Sequence, residues 1–125
     1  MKKIQVSRFS INAGEILPEK MVNSDATGLR LLKNGEFAAD VIRFPPNGKV
    51  EEHVHPGSHM LFCLHGSGKV KYYDKWHELN PGDCYLIESM VPHAVYASEH
   101  EELALLTVAD DHRDVSSEER LEMVE

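Results

Sequence analysis

Residues 48–66 read GKVEEHVHPGSHMLFCLHG, and this stretch decides the fold class. It contains two strand-length segments, 49–55 and 59–65, on either side of the pair Pro56-Gly57. Pro-Gly is a strong turn signal, and the second segment is rich in apolar residues. The stretch therefore predicts two short β-strands joined by a tight turn.

The same alternation of turns and short segments continues on both sides of this stretch. Gly, Pro and Asn punctuate the chain at 34–35, 45–48, 66–68, 80–82 and 92. Further strand-length segments lie at 37–44, 69–73, 84–88, 94–97 and 103–109. Short strands at this spacing, with no long helical period between them, are typical of a sandwich or barrel. We predict an all-β fold in which residues 37–109 provide nearly all the strands.

The two ends of the chain carry weaker signals. Residues 3–9 are a possible first strand, and no clear period follows before Leu31. Near the other end, Ser116 is followed three residues later by Glu119, which is a capping-box pattern. It predicts a short C-terminal helix that runs through Glu125. A length of 125 residues suits a single domain with one core.

Composition and charge limit the class of partner. The chain is 42% hydrophobic and 27% charged, and 13 basic against 21 acidic residues give a net charge of −8. Such a charge repels phosphate backbones and anionic lipids, so we expect neither nucleic acid nor membrane as a partner.

No apolar run of signal-peptide length follows Lys2 and Lys3, and we expect a cytoplasmic location. Cys63 and Cys84 lack the spacing of a zinc ribbon or redox motif and are expected to be free thiols.

Histidine is the unusual residue type, with eight copies in uneven positions. Residues two apart in a strand share a face, so His53 and His55 present both rings on one side. The turn at Pro56-Gly57 brings His59 toward them, and a later strand supplies His93 after Pro92. The alternatives are a solvated surface cluster or core histidines satisfied by hydrogen bonds. We expect His53, His55, His59 and His93 to bind one divalent metal ion. The other four, expected to face solvent, are His65, His77, His100 and His112.

The strand predicted at 59–65 is apolar on both faces. Leu61 and Cys63 share the face of His59, whereas Met60, Phe62 and Leu64 lie on the opposite face. That second face needs a cover, and we expect another subunit to supply it in a homodimer formed through apolar sheet faces or exchanged N-terminal strands. The alternative cover is the N-terminal segment or the C-terminal helix of the same chain.

These residues resemble the cupin family. The first cupin motif is similar to the run of Gly48, the pair His53 and His55, His59 and Gly66, and the second is similar to 81–83 followed by Pro92-His93. The resemblance spans about residues 44–95. It implies a cupin-type double-stranded β-helix, or jelly-roll barrel, forming a single domain over 1–125 with a barrel core at about 37–109.

The chain departs from the cupin pattern at three positions. Gly48 stands one residue closer to the first histidine than usual, with Asn47 at the expected place. The asparagine that usually follows the Pro-His pair is missing. His59 replaces the usual glutamate ligand, so four neutral imidazoles would leave the charge of the metal uncompensated. The metal would then be a stronger Lewis acid, able to bind an anionic enolate or carboxylate more readily. Zinc, manganese, iron, nickel and copper all remain candidates.

Three functions are compatible with the resemblance. The favoured one is a metal-dependent enzyme on a small organic substrate, either a dioxygenase that uses iron or copper or a Lewis-acid isomerase, cyclase or lyase that uses zinc or manganese. The second is a non-catalytic module that binds or senses a carbohydrate or carboxylate, with a structural metal. The third is a structural metal site without turnover. The fold alone does not choose among them, and no catalytic acid or base is assigned.

Overall fold

The computed structural model describes residues 18–110, 113–118 and 120–124. The predicted strand at 3–9 lies outside these residues. Within them the chain forms eleven strands: β1 (Glu19–Lys20), β2 (Thr27–Asn34), β3 (Phe37–Phe44), β4 (Lys49–Val54), β5 (His59–His65), β6 (Gly68–Tyr72), β7 (Lys75–Leu79), β8 (Cys84–Ile87), β9 (His93–Ala97), β10 (Leu103–Asp110) and β11 (Glu122–Met123). None of the described segments is a helix with the length and apolar character needed to span a membrane.

The strands form two antiparallel sheets. The six-stranded sheet has the order β1-β2-β3-β10-β5-β8, and the five-stranded sheet has the order β11-β4-β9-β6-β7. Neighbours in each sheet are mostly distant in sequence. In the six-stranded sheet, for example, β10 pairs with β3 on one side and with β5 on the other. The all-β prediction is therefore confirmed.

The hydrophobic core lies between the two sheets. In β5 the side chains alternate as predicted, because Leu61 and Cys63 are buried while Met60 and Phe62 are 45% and 37% exposed. The largest fully buried apolar side chains include Phe44, Leu79, Ile87, Leu103 and Leu105. Cys63 and the exposed Cys84 are both free thiols, as expected.

The sequence analysis missed four of the eleven strands, namely the two-residue strands β1 and β11 and the longer strands β2 and β7. β2 pairs with β3 across an irregularity between Arg30 and Leu32, which breaks the period of two that would have revealed the strand. β7 pairs with β6 over its whole length but buries only Leu79 fully. With one apolar position facing the core, β7 carries little hydrophobic pattern.

The predicted C-terminal helix is wrong for the part of the tail that the structure describes. Residues 113–118 and 120–124 form turns and the strand β11. β11 pairs with β4, and the backbone N–H of Val124 donates to the carbonyl of Glu52 at 3.0 Å. Pairing with a free sheet edge gives these backbone groups partners, and this tertiary contact overrides the local capping signal. Glu119 and Glu125 lie outside the described residues.

Gly66 closes the turn after β5 at a position that has no room for a side chain. Its φ is +79°, and a Cβ there would lie 1.9 Å from the carbonyl oxygen of Glu102. Gly35 provides a matched control, because its φ is +64° and a Cβ would meet nothing within 4 Å.

We predict that Gly66→Ala lowers the free energy of unfolding by about 2 kcal/mol more than Gly35→Ala, measured by urea denaturation. Both variants carry the left-handed backbone cost of about 1 kcal/mol, and only Gly66→Ala adds overpacking. Equal losses in the two variants would show that the approach to Glu102 is not limiting.

Candidate metal centre

A β-bulge in β4 directs His53 into the barrel. The pairing of β4 with β9 shifts register between Val50 and His53, and both of these side chains are buried. Strict alternation from Val50 would have turned His53 outward. The bulge instead sets two residues, Glu51 and Glu52, opposite Ala94 alone, and both glutamates face outward and form ion pairs with lysines at 3.1 and 3.2 Å.

The four predicted histidines come together from both sheets. His53 and His55 lie on β4 and just beyond it, and His93 begins β9 directly opposite His53. His59 begins β5 in the other sheet, where it pairs with Ile87 and Ala109. All four are buried, with 2–8% of their surface exposed.

The rings are close enough to share one ion. The centroids of His53 and His93 are 4.1 Å apart, and those of His55 and His59 are 4.6 Å apart. One ring nitrogen from each of His53, His55 and His93 lies within 4.8 Å of the other two. These three form an all-histidine group suited to a metal ion, with the ring of His59 beside it at 5.2 Å from that of His93.

Backbone hydrogen bonds orient the rings. His53 Nδ1 lies 2.8 Å from the carbonyl of Glu51, and His93 Nδ1 lies 2.8 Å from the carbonyl of Val91. An Nδ1 that donates to a carbonyl carries the hydrogen, so the lone pair of each neutral ring is on Nε2. This is the arrangement found in metal-binding histidines, whose second nitrogen is held by a carbonyl or carboxylate. The donor set therefore fits a late first-row divalent metal.

Burial keeps two of these imidazoles neutral. The pKa of His53 is lowered to about 4, mainly by desolvation and also by the charges of His55 and Arg120, against the hydrogen bond that His53 donates to the carbonyl of Glu51. Desolvation and the charge of protonated His53 lower the pKa of His93 to about 2. Metals bind the neutral ring, so both residues are ready to bind at neutral pH without losing a proton.

A cavity opens beside the imidazoles. It offers about 40 Å³ to the centres of water molecules, which is room for about three waters. The four histidines, Thr107 and Arg120 line it, and the remaining wall is apolar. A metal bound by these histidines would therefore face a partly enclosed space and not a packed wall.

Sequence analysis missed Arg120 and overstated the exposure of one histidine. Arg120 is 3% exposed and contributes to the cavity, although no motif or period in the tail marks it. His65 and His100 are exposed, as predicted, whereas His77 is half-buried with its ring 5.7 Å from that of Tyr85. His112 lies outside the described residues. None of these histidines lines the cavity in the described part of the chain.

Comparison with known proteins agrees with this site. A family model described as a cupin domain matches residues 40–109, more than half of the chain. The chain belongs to the cupin family. The resemblance inferred from the histidine motifs is thus confirmed, and the two sheets are a cupin jelly roll. A search of curated proteins gave no match.

Several solved structures share the fold at low sequence identity. The polyketide cyclase RemF from Streptomyces resistomycificus is 20% identical with a TM-score of 0.78, covering 97% of this chain and 87% of that one. KdgF from Halomonas sp. is 18% identical with a TM-score of 0.73, covering 87% and 97%. A predicted oxalate decarboxylase from Thermotoga maritima is 20% identical with a TM-score of 0.72, covering 81% and 97%. At these identities the likeness establishes the fold.

We predict that the metal-free protein loses stability as the pH falls from 6.5 to 4. An unfolded histidine binds a proton near pH 6.5, whereas folded His53 does so near pH 4. The unfolded state therefore binds more protons in this window, and His53 alone costs about 3 kcal/mol by its lower end. Urea denaturation at pH 7.5, 5.5 and 4.0 measures this loss.

His53→Asn should make the pH dependence shallower, because it removes this titration. His65→Asn is the matched control, since His65 is exposed on β5, the next strand along the chain, and it should keep the wild-type profile. Parallel pH profiles for wild type and His53→Asn would contradict the buried neutral state of His53.

Proposed function

We propose that His53, His55, His59 and His93 bind one divalent transition metal ion and that the protein is a metal-dependent enzyme acting on a small organic substrate. The observation that carries this proposal is the cavity beside the imidazoles, with about 40 Å³ open to the centres of water molecules. A structural metal site is closed by its ligands, whereas a catalytic site keeps an open position. The same chain forms a single cupin domain over 1–125, with its barrel core at about 37–109.

The protein residues have distinct roles in this proposal. When bound, the metal would supply a Lewis acid, or a redox centre if it is iron or copper. The Nδ1 hydrogen bonds of His53 and His93 hold the ligand rings in place before any ion arrives. The apolar wall, which includes Leu61, Val95 and Leu105, limits water around a bound substrate.

Two reaction classes are open to such a site. One is oxygenation with iron or copper, and the other is isomerisation, cyclisation or elimination with zinc or manganese as a Lewis acid. One of the structurally similar proteins is a polyketide cyclase, so cyclisation is a reaction that occurs on this fold. Elemental analysis of protein purified without added metal distinguishes the two reaction classes, because it identifies the metal that each would use. Turnover by loaded protein that is lost on chelation supports the enzyme, and tight metal binding with no turnover would favour the binding module.

We predict that His59→Ala weakens metal affinity by about 100-fold or more, whereas His59→Glu retains it. Loss of a ligand should lower metal affinity at least as much as loss of a hydrogen bond that supports a ligand. Loss of such a hydrogen bond lowers metal affinity about 10–100-fold. Glutamate supplies an oxygen donor in place of the ring. Affinity is measured by competition with a chromophoric chelator.

His65→Ala is the matched control for this prediction. It removes an exposed imidazole from the opposite end of the same strand, β5, and should leave affinity unchanged. Wild-type affinity in His59→Ala would remove His59 from the ligand set and leave the three-histidine group.

We also propose that the protein is a homodimer that buries the outer face of the six-stranded sheet. Met60 and Leu86 are cross-strand neighbours on that face, 45% and 58% exposed, with Phe62 beside them at 37%. Adjacent exposed apolar side chains of this size mark an interaction surface.

The cytoplasmic location of the protein also stays a prediction.

We predict twice the monomer mass by light scattering at micromolar concentration. Leu86→Glu should give a monomer, because it places a charge in the interface. Trp76→Glu should remain dimeric, since Trp76 is 43% exposed on the other sheet. A wild-type monomer would refute the interface.

A further inference from the structure

Arg120 is a buried cation in the wall of the histidine cavity. Its side chain is 3% exposed, and it lies on the C-terminal segment that crosses from the six-stranded sheet to β4. Leu121 of the same segment also lines the cavity. The tail therefore delivers a guanidinium group to the space that the imidazoles face.

Two contacts hold this guanidinium in place. Its Nη2 donates to Asp40 Oδ2 at 3.1 Å, and its Nη1 donates to the carbonyl of Arg113 at 2.7 Å. A guanidinium has five N–H donors in a rigid fork that matches a carboxylate. These two contacts fix the orientation of the Arg120 guanidinium. They use two of its five N–H donors, and the others can donate to a ligand.

Among the residues that the structure describes, positive charge exceeds negative charge in this buried cluster, because two arginines share the carboxylate of Asp40. Asp40 is fully buried and is shared by Arg120 and Arg30, which donates from Nε to the other carboxylate oxygen. Asp114, a further partner of Arg30 at 3.4 Å, has a side chain that is 75% exposed. Water screens that exposed charge, so it offsets little of the buried excess.

The described lining of the cavity supplies no anion. None of the described residues that line it is acidic. A divalent ion held by four neutral imidazoles would add two further positive charges beside Arg120. Uncompensated charge in a low-dielectric space is unfavourable, and an anionic ligand relieves it.

We propose that Arg120 forms a carboxylate-binding subsite of this cavity and that the substrate is therefore a small carboxylate anion. This inference rests on the proposed function, since it names the charge of the molecule that the same site would take. The cavity, with room for about three waters, is large enough for a carboxylate group.

Acetate and its neutral isostere acetamide are the probes that test this subsite. Zinc-loaded protein is titrated with each and followed by protein NMR. Arg120→Gln should raise the acetate Kd about tenfold or more, as expected for loss of hydrogen bonds to a charged group. The acetamide Kd should not change.

Arg43→Gln is the matched control. It removes one positive charge from β3, where Arg43 pairs with Glu102 at 2.7 Å and does not line the cavity. Both Kd values should stay at the wild-type level in this variant. An acetate Kd unchanged by Arg120→Gln, or acetate and acetamide weakened equally, would overturn the inference and leave Arg120 as a structural link.

A second variant and a metal-free titration keep the test decisive. If Arg120→Gln does not fold, Arg120→Lys keeps the charge but loses the planar fork, and it should weaken acetate several-fold without affecting acetamide. Wild-type acetate affinity in that variant overturns the subsite. Failure of the wild type to bind any of zinc, manganese, iron, nickel and copper refutes the proposed function by itself. If acetate shifts the NMR signals of metal-free wild type and Arg120→Gln removes these shifts, the subsite is still supported. If acetate causes no such Arg120-dependent shifts, the subsite is overturned.

Discussion

The chemistry of this barrel depends on hydrogen bonds between imidazoles and the backbone. His53 and His93 each hold their Nδ1 against the carbonyl two residues earlier in the chain, at Glu51 and Val91. The two histidines are partners across β4 and β9, so the sheet itself aligns the bonds. Each bond partly offsets the cost of burying a ring and leaves the Nε2 lone pair for a ligand. The same backbone that builds β4 and β9 therefore also orients the histidine rings of the site.

The bulge in β4 makes this alignment possible, and it also marks where sequence reasoning stops. The spacing of His53 and His55 correctly predicts that the rings share a face, but it does not say which face. Counting from the buried Val50 assigns the wrong one, because the register shift that follows is invisible in the pattern. The choice of face came from recognising the histidine motif. A period of two predicts where the strands lie. It does not predict which way His53 points, because the bulge in β4 interrupts the period at the site.

The tail shows the same limit more strongly. Ser116 and Glu119 suggested a helix from local chemistry alone, whereas the segment follows the free edge of β4 and the buried carboxylate of Asp40. Asp40 lies on β3, 80 positions before Arg120. No local window contains both residues, so neither the ion pair nor the place of Arg120 in the cavity could be predicted. Turn spacing sufficed for the two sheets because it is a local signal, and long-range charge pairing is not.

The identity of residue 59 connects the proposed metal ligands with this charge pair. His59 begins a strand of the six-stranded sheet, the same sheet that carries Asp40. A glutamate at 59, as in the usual cupin pattern, would place a carboxylate at the cavity that Arg120 lines. It would reduce the net positive charge there and compete with an incoming anion for both the metal and the guanidinium. A neutral imidazole avoids that competition. The exchange of Glu for His and the buried arginine therefore act in the same direction, since both leave positive charge in the cavity for a ligand to neutralise.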